Sequence, residues 1–330
     1  MPCHLLIGAG FSRNWGGWLA GEAFEFLLGC PEVIADPQLS ALLWRHQATG
    51  GFEGALDELQ TAFERDPQNT AGPLMALQAA VVRMFVDMNN AFMSITDWEF
   101  QSFRDRQVGA FLTRFDTIFS LNQDVLIEHY YIGRDTASLG GIRQWPGVQM
   151  PGLRKIRIPE GMNGDSWAKA TWSPDDDQDF SLDALTQPFI KLHGSSNWER
   201  GDGSNLLIMG GAKAREIGRT PLLNRYAEIF EKALCTAGAK LMVIGYGFRD
   251  SHINEAIQRG VDRGLKLFVI APEGADIARS LNQTRKAAIA VETPLEAMLA
   301  RSLIGASRRG LRDIFGGDTA EHNKVMRFFG

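Results

Sequence analysis

The sequence predicts an α/β fold: a parallel sheet covered by helices on both faces, with a helical subdomain inserted after the first strand. Three observations carry this. Apolar runs of four to six residues recur along the chain, each followed by a turn and a helical segment, which is the pattern of strands buried on both faces. Several of these runs stop at glycine or at small polar residues. Between the first two runs lies a long stretch whose apolar residues recur at three- and four-residue steps instead of alternating.

The first strand is "CHLLI", residues 3–7, ending at Gly8-Ala9-Gly10. From about 15 to 110 the pattern is helical, through "EAFEFLL", "SALLWRHQ" and "FEGALDELQTAF" to "PLMALQAAVVRMFVDMNNAF". In the last of these, Leu74, Leu77, Val81, Met84, Phe85, Met88 and Phe92 share one helix face, and Pro73 suits its first turn. "FDTIFSLN", 115–122, reads as the next strand and leads into helical "DVLIEHYY". Residues 133–188 are rich in Gly, Pro, Trp and Asp with little periodicity, and read as a long loop or insertion. The acidic "WSPDDDQDF" within it reads as a solvated face.

Further on, "FIKLHGSSNW" is a strand with an abrupt turn, followed by a helix near 222–237. "AKLMVIGYGFRDSHINEAIQRGV" is strand, turn and helix; "LKLFVIAP" is a strand and "ADIARSLNQ" a helix. "AAIAVET" reads as the last strand and "PLEAMLARSL" as the last helix. The chain reads as a single domain over 1–330, with a core of 1–14 and 111–330 and an inserted helical module at 15–110.

Composition excludes several classes. With 34 basic and 39 acidic residues the net charge is −5 and no basic run appears, so direct nucleic-acid binding is not expected. The three cysteines, Cys3, Cys30 and Cys235, are odd in number and far apart, which argues against a disulfide framework or a four-cysteine zinc site. Free thiols, no basic leader and no uninterrupted apolar segment near 18 residues point to the cytoplasm and away from a membrane.

Four strand ends carry the chemistry: "GAGFS" (8–12), "LNQD" (121–124), "KLHGS" (191–195) and "IGYGFRDSHIN" (244–254). A parallel sheet brings such ends to one edge, where ligands bind. Gly8 and Gly10 fit the start of G-x-G-x-x-G, but Arg13 stands at the third glycine; their N–H groups could face a pyrophosphate, or the turn could be tight with no ligand. Asn122 could position a water and a ribose hydroxyl, and Asp124 could support developing positive charge; either could instead cap the following helix. His193 is placed as a general base or hydroxyl partner, or as a structural histidine. Gly245 and Gly247 allow a second tight turn, Asp250 or Ser251 could cap the next helix, and His252 reads as structural or contact-making. There is no G-x-S-x-G, no H-E-x-x-H, and "GGAKAR" lacks the Gly-Lys-Ser/Thr of a phosphate loop.

The order of these four motifs resembles the sirtuin-like superfamily, closest to its divergent bacterial branch in anti-phage defence. The resemblance implies a Rossmann-like NAD domain with a smaller helical module. It implies catalytic Asn122 and His193, and NAD+ binding by Gly8, Ala9, Gly10, Phe11, Ser12, Asp124, Gly245 and Tyr246. Two departures matter: residues 196–234 hold no cysteine for the family's zinc module, and "NWGGWLAGEAF" replaces its Pro-Asp-Phe-Arg stretch. The implied activity is therefore NAD+ cleavage to nicotinamide and ADP-ribose, without zinc, depleting NAD+ in abortive infection. Deacylation, ADP-ribosyl transfer or a non-catalytic nucleotide-binding role are the alternatives. A homo-oligomer and a HerA-type ATPase partner are the assemblies it implies.

Overall fold

Every residue of the first strand, Cys3–Ile7, is buried, and since successive side chains point to opposite faces, both faces of the sheet are covered there. In this computed structural model, residues 1–103, 106–132, 145–158, 167–175, 180–211, 213–282 and 291–330 are described. Among them the strands are β1 (Cys3–Ile7), β2 (Thr117–Ser120), β3 (Val148–Gln149), β4 (Leu153–Arg157), β5 (Thr171–Pro174), β6 (Gln187–Lys191), β7 (Gly194–Glu199), β8 (Asn205–Leu207), β9 (Lys240–Ile244), β10 (Lys266–Ile270) and β11 (Leu303–Ser307). Seven form one parallel sheet in the order β11-β10-β9-β1-β2-β6-β3, the Rossmann-like α/β arrangement with helices around it.

The register decides where the site lies. Ile7 pairs with both Ile244 and Ser120, Ile270 with Ile244, and Ser120 with Lys191. The four turns singled out by sequence therefore leave the sheet level with one another at one edge. The strand order reverses at β1, which has β2 on one side and β9 on the other, and that switch point opens a crevice.

Between β1 and β2 run the helices Ala20–Leu28, Pro31–Ile34, Pro37–His46, Gly51–Arg65 and Pro67–Met93. The last begins six residues before the expected Pro73, which lies inside it. Asp66 accepts a hydrogen bond from the Asn69 N–H and Pro67 occupies the first helical position, so the start signal sits upstream of the apolar stripe. Its buried face is the expected one, Leu74, Leu77, Val81, Met84, Phe85, Met88 and Phe92, with Ala80 added. By length and composition it is the one described helix that could cross a membrane; here that face joins the same buried cluster as the sheet.

Two expectations need correction. Residues 133–188 are not all loop: β3 extends the parallel sheet, and β4 and β5 join β7 and β8 in a second, four-stranded sheet of order β4-β5-β7-β8. These strands are short, and β4 alternates only weakly between half-buried and exposed residues, so no periodicity announces them. The acidic run at 176–179 and most of "AAIAVET" lie outside the described residues. The last described strand is β11, "LIGAS", which follows the helix Pro294–Ser302 and is interrupted by a glycine and a register shift.

Candidate functional site

The glycines after β1 approach another turn of the same chain. The Gly8 N–H donates to the Ile244 carbonyl at 3.0 Å and the Gly10 N–H to the Gly245 carbonyl at 2.9 Å. A Cβ on Gly10 would stand 2.6 Å from Gly245 Cα, and one on Gly245 would stand 2.3 Å from Gly10 C and Phe11 N. Gly245 also has φ of +65°, which side-chain-bearing residues adopt poorly. Of the two readings left open for this turn, the Gly8 and Gly10 N–H groups follow the tight-turn one: both are used in locking the β1 turn onto the β9 turn. Gly245→Ala is expected to cost about 2–5 kcal/mol, from left-handed strain plus overpacking. Gly21→Ala, with open space at its Cβ, is the near-neutral control, and urea unfolding of the two checks the difference.

That lock delivers Ser12 to the β2 end. Asn122 Nδ2 donates to Ser12 Oγ at 2.9 Å, and Ser12 Oγ donates to Asp124 Oδ2 at 2.8 Å. Asp124 Oδ1 accepts the Leu126 N–H at 3.1 Å, so this carboxylate both caps the local turn and orients Ser12. All three residues are buried. Because Asn122 spends its amide nitrogen on Ser12, its carbonyl Oδ1 is left as an acceptor; it is buried and has no partner among the described residues. Burial pushes the Asp124 carboxyl upward against the pull of the Lys191 ammonium.

Lys191, at the end of β6, is fully buried. Its Nζ donates to the Asp124 carbonyl and to Glu128 Oε1, each at 2.5 Å, and to Ser195 Oγ at 2.8 Å. One cation thus ties the β2 turn, the helix Leu126–Tyr130 and the β6–β7 turn. Gln123 Nε2 adds bonds to the His193 and Ile208 carbonyls at 3.0 and 2.8 Å. After His193 the chain turns at Gly194, φ +74°, where a Cβ would meet the Leu206 carbonyl at 2.1 Å.

His193 is 3% exposed, and its Nε2 lies 3.0 Å from His252 Nε2. Burial, reinforced by the Lys213 ammonium and opposed by Asp250, holds the His193 imidazole down to about 3; burial also lowers His252. Asp250 makes no side-chain cap to its helix, contrary to the capping expectation, because its Oδ1 binds Lys213 Nζ at 2.7 Å. Lys213 also reaches Glu53 at 2.8 Å. Burial alone would raise Asp250, and Lys213 outweighs it to hold the carboxyl below its usual range.

The sign of the resulting pH dependence follows directly. The His193 value in the fold is below that of the unfolded chain, so the unfolded chain takes up the proton first and stability is lost as pH falls from about 6.5 toward 3. His193 alone contributes up to about 1.4 kcal/mol per pH unit over that window, opposed in its acid part by the raised Asp124 and Glu128 carboxyls. His193→Gln is expected to flatten the acid slope in urea unfolding between pH 7 and 5.

One cleft of about 1410 Å³ is lined by Gly8, Ala9, Gly10, Ser12, Asn122, Asp124, His193, Gly245 and Tyr246. Of the residues expected to bind, Phe11 alone is not on it: its ring is fully buried and packs on Trp15 at 5.2 Å. Tyr246 lines the cleft, but its hydroxyl bonds within its own turn, to the Asp250 carbonyl and Asn254 Oδ1. The cleft also holds Lys213 from "GGAKAR" and Glu273, which no motif marked, and Arg249, Asp250 and His252 of the fourth motif, which were given no ligand role there. The position of Glu273, just past the strand that follows a glycine turn and helix, was the signal available for it. His193, Asp250 and His252 could together offer three metal ligands, all within 4.8 Å of one another, although Lys213 already neutralises the carboxylate.

No protein-family model matches the chain, and no curated protein matches it. Among solved structures it is similar to a Sir2 homologue in complex with NAD, with a TM-score of 0.38 and 14% identity over 100% of this chain and 91% of that one. A Sir2 homologue variant with 2′-O-acetyl ADP-ribose gives 0.38 and 13% over 99% and 92%, and one with ADP-ribose gives 0.38 and 15% over 99% and 93%.

Proposed function

We propose that this protein hydrolyses the N-glycosidic bond of NAD+, releasing nicotinamide and ADP-ribose. The observation that carries the reading is the buried, unpartnered Oδ1 of Asn122, held by Ser12 and Asp124 on the wall of the cleft that His193 also lines. In this reaction the C1′–N bond breaks, its electron pair leaves with nicotinamide, and a water oxygen bonds to C1′ with loss of one proton. An oxocarbenium-like centre forms between those steps, so the site must orient a water and accept a proton.

Asn122 Oδ1 accepts a hydrogen bond from that water, since its Nδ2 is already committed. His193, kept neutral at physiological pH by burial, offers an unprotonated ring nitrogen as a hydrogen-bond acceptor to a ribose hydroxyl or to that water. Asp124 accepts from Ser12 Oγ and so fixes the hydroxyl that in turn holds the Asn122 amide. Arg13, Arg249 and Arg309 line the same cleft and suit the diphosphate, and Glu273 suits a ribose hydroxyl.

The test is incubation of the purified chain with NAD+, following nicotinamide and ADP-ribose. Release without any acceptor is expected. Release that requires an acylated peptide would assign a deacylase or transferase instead, and tight NAD+ binding with no turnover a nucleotide-binding subunit. NAD+ depletion in cytoplasmic anti-phage defence, restrained by self-assembly or a HerA-type ATPase, belongs to the same proposal. Co-expression with such an ATPase, measuring assembly mass and cellular NAD+ on phage challenge, checks it.

A further inference from the structure

His193 and His252 meet nitrogen to nitrogen, with their Nε2 atoms 3.0 Å apart and their ring planes tilted by 47°. A single hydrogen bond accounts for that separation, and so does a shared ion. Two Zn–N bonds of about 2.0–2.1 Å whose far ends lie 3.0 Å apart enclose about 90–100°, a small opening of the rings away from the tetrahedral angle. The third group favours the ion. Asp250, two residues before His252, brings a carboxylate oxygen within 4.8 Å of both nitrogens. Its Oδ1 takes the Lys213 ammonium at 2.7 Å, while Oδ2 takes no hydrogen bond among the described residues.

We propose that His193, His252 and Asp250 form a binding site for a divalent transition cation, Zn2+, and that the bound ion restrains the enzyme by taking Nε2 of His193. The restraint rests on the hydrolysis reading above; the binding does not. Two imidazoles and one carboxylate are a ligand set for Zn2+ and its substitute Co2+, whereas Mg2+ and Ca2+ prefer oxygen ligands. All three residues line the cleft, so water completes the coordination. No cysteine takes part.

The surrounding charges suit a dication. Asp250 and Glu53 both bind Lys213, at 2.7 and 2.8 Å, and Glu255 lies beside His252, so three carboxylates face one ammonium. Lys213 therefore does not exhaust Asp250: by donating to Oδ1 it orients the carboxylate, as hydrogen bonds from behind orient metal ligands generally. His193 is fixed from the other side, because its own carbonyl accepts Gln123 Nε2 and the chain turns sharply at Gly194. A metal on Nε2 leaves the ring proton on Nδ1. His193 then has no unprotonated nitrogen, and the acceptor that hydrolysis uses is gone.

The experiment uses the full-length chain stripped of metal by a chelator and dialysed. Calorimetry is expected to show one Zn2+ bound per chain, and Co2+ to give the visible absorption of a four-coordinate ion that Zn2+ displaces. His252→Ala is expected to weaken Zn2+ binding by more than about 10²-fold, beyond what loss of an orienting partner costs. Lys213→Met is expected to tighten it by at least about tenfold, because the opposing ammonium is removed. Urea midpoints confirm that both variants fold. In the wild type, which needs no variant, histidine 15N resonances with Zn2+ are expected to place metal on Nε2 and the proton on Nδ1 of both rings. Added Zn2+ is expected to suppress nicotinamide release and a chelator to restore it.

No binding of micromolar Zn2+ by the wild type would overturn the site, as would equal affinity in His252→Ala. Nicotinamide release that requires Zn2+ would overturn the restraint. If the wild type releases no nicotinamide with or without the ion, the hydrolysis reading fails, and calorimetry with the 15N spectra still decides the site.

Discussion

Asn122→Ala is expected to lower nicotinamide release from NAD+ by about 10²- to 10⁴-fold, and His193→Ala by a similar factor. For Asn122 the reason is the division of labour in its amide: Nδ2 holds Ser12 Oγ, and Oδ1 remains an unpartnered acceptor, to which the proposed hydrolysis assigns the water. Alanine removes both. Asn122→Asp retains an acceptor at that place but loses the donor to Ser12 and adds negative charge beside buried Asp124, so it is not expected to rescue turnover. Steady-state assay of nicotinamide release, with urea unfolding to confirm a retained fold, decides the point. Full activity in Asn122→Ala would remove the residue from the mechanism.

Lys191→Met is expected to destabilise the protein by about 3–5 kcal/mol, since removing one member of a buried pair strands the other charge. Glu128 is 3% exposed, and its second oxygen, Oε2, already has no partner among the described residues. The same change releases the Asp124 carbonyl and Ser195 Oγ, so activity should fall along with stability. Two observations separate this account from simple misfolding. Glu128→Leu combined with Lys191→Met should recover much of the stability, because a well-packed apolar pair needs no compensation for lost hydration. The deficit of Lys191→Met should also shrink from pH 8 to pH 5: burial raises Glu128 in the fold, so protonation relieves the stranded charge as pH falls. Urea unfolding of the single and double variants at both pH values measures each effect.

Much of this arrangement is legible in the chain. Apolar runs such as "LMVIG" and "LFVIA" can only be buried on both faces, and polar or glycine residues at their ends must then gather at one sheet edge. Asn122, Asp124 and His193 are found that way because each lies two to four residues past the end of a strand. The short strands were not legible: β11 is five residues broken by glycine, and β3 is two. Local pattern left the glycines' partner open, since a sequence shows that backbone must come close to something without showing to what.

Reading residues in order was therefore enough for the sheet, its parallel sense and the edge that carries chemistry, because alternation and punctuation are local properties. The partners of the site's charges came only with folding. His193 meets His252 across 59 positions, Lys213 meets Asp250 across 37, and Gly10 closes on Gly245 through the pairing of β1 with β9. No spacing rule connects such residues. Burial then sets their protonation, because the cost of a charge depends on the water left around it, and that is a property of the packed molecule.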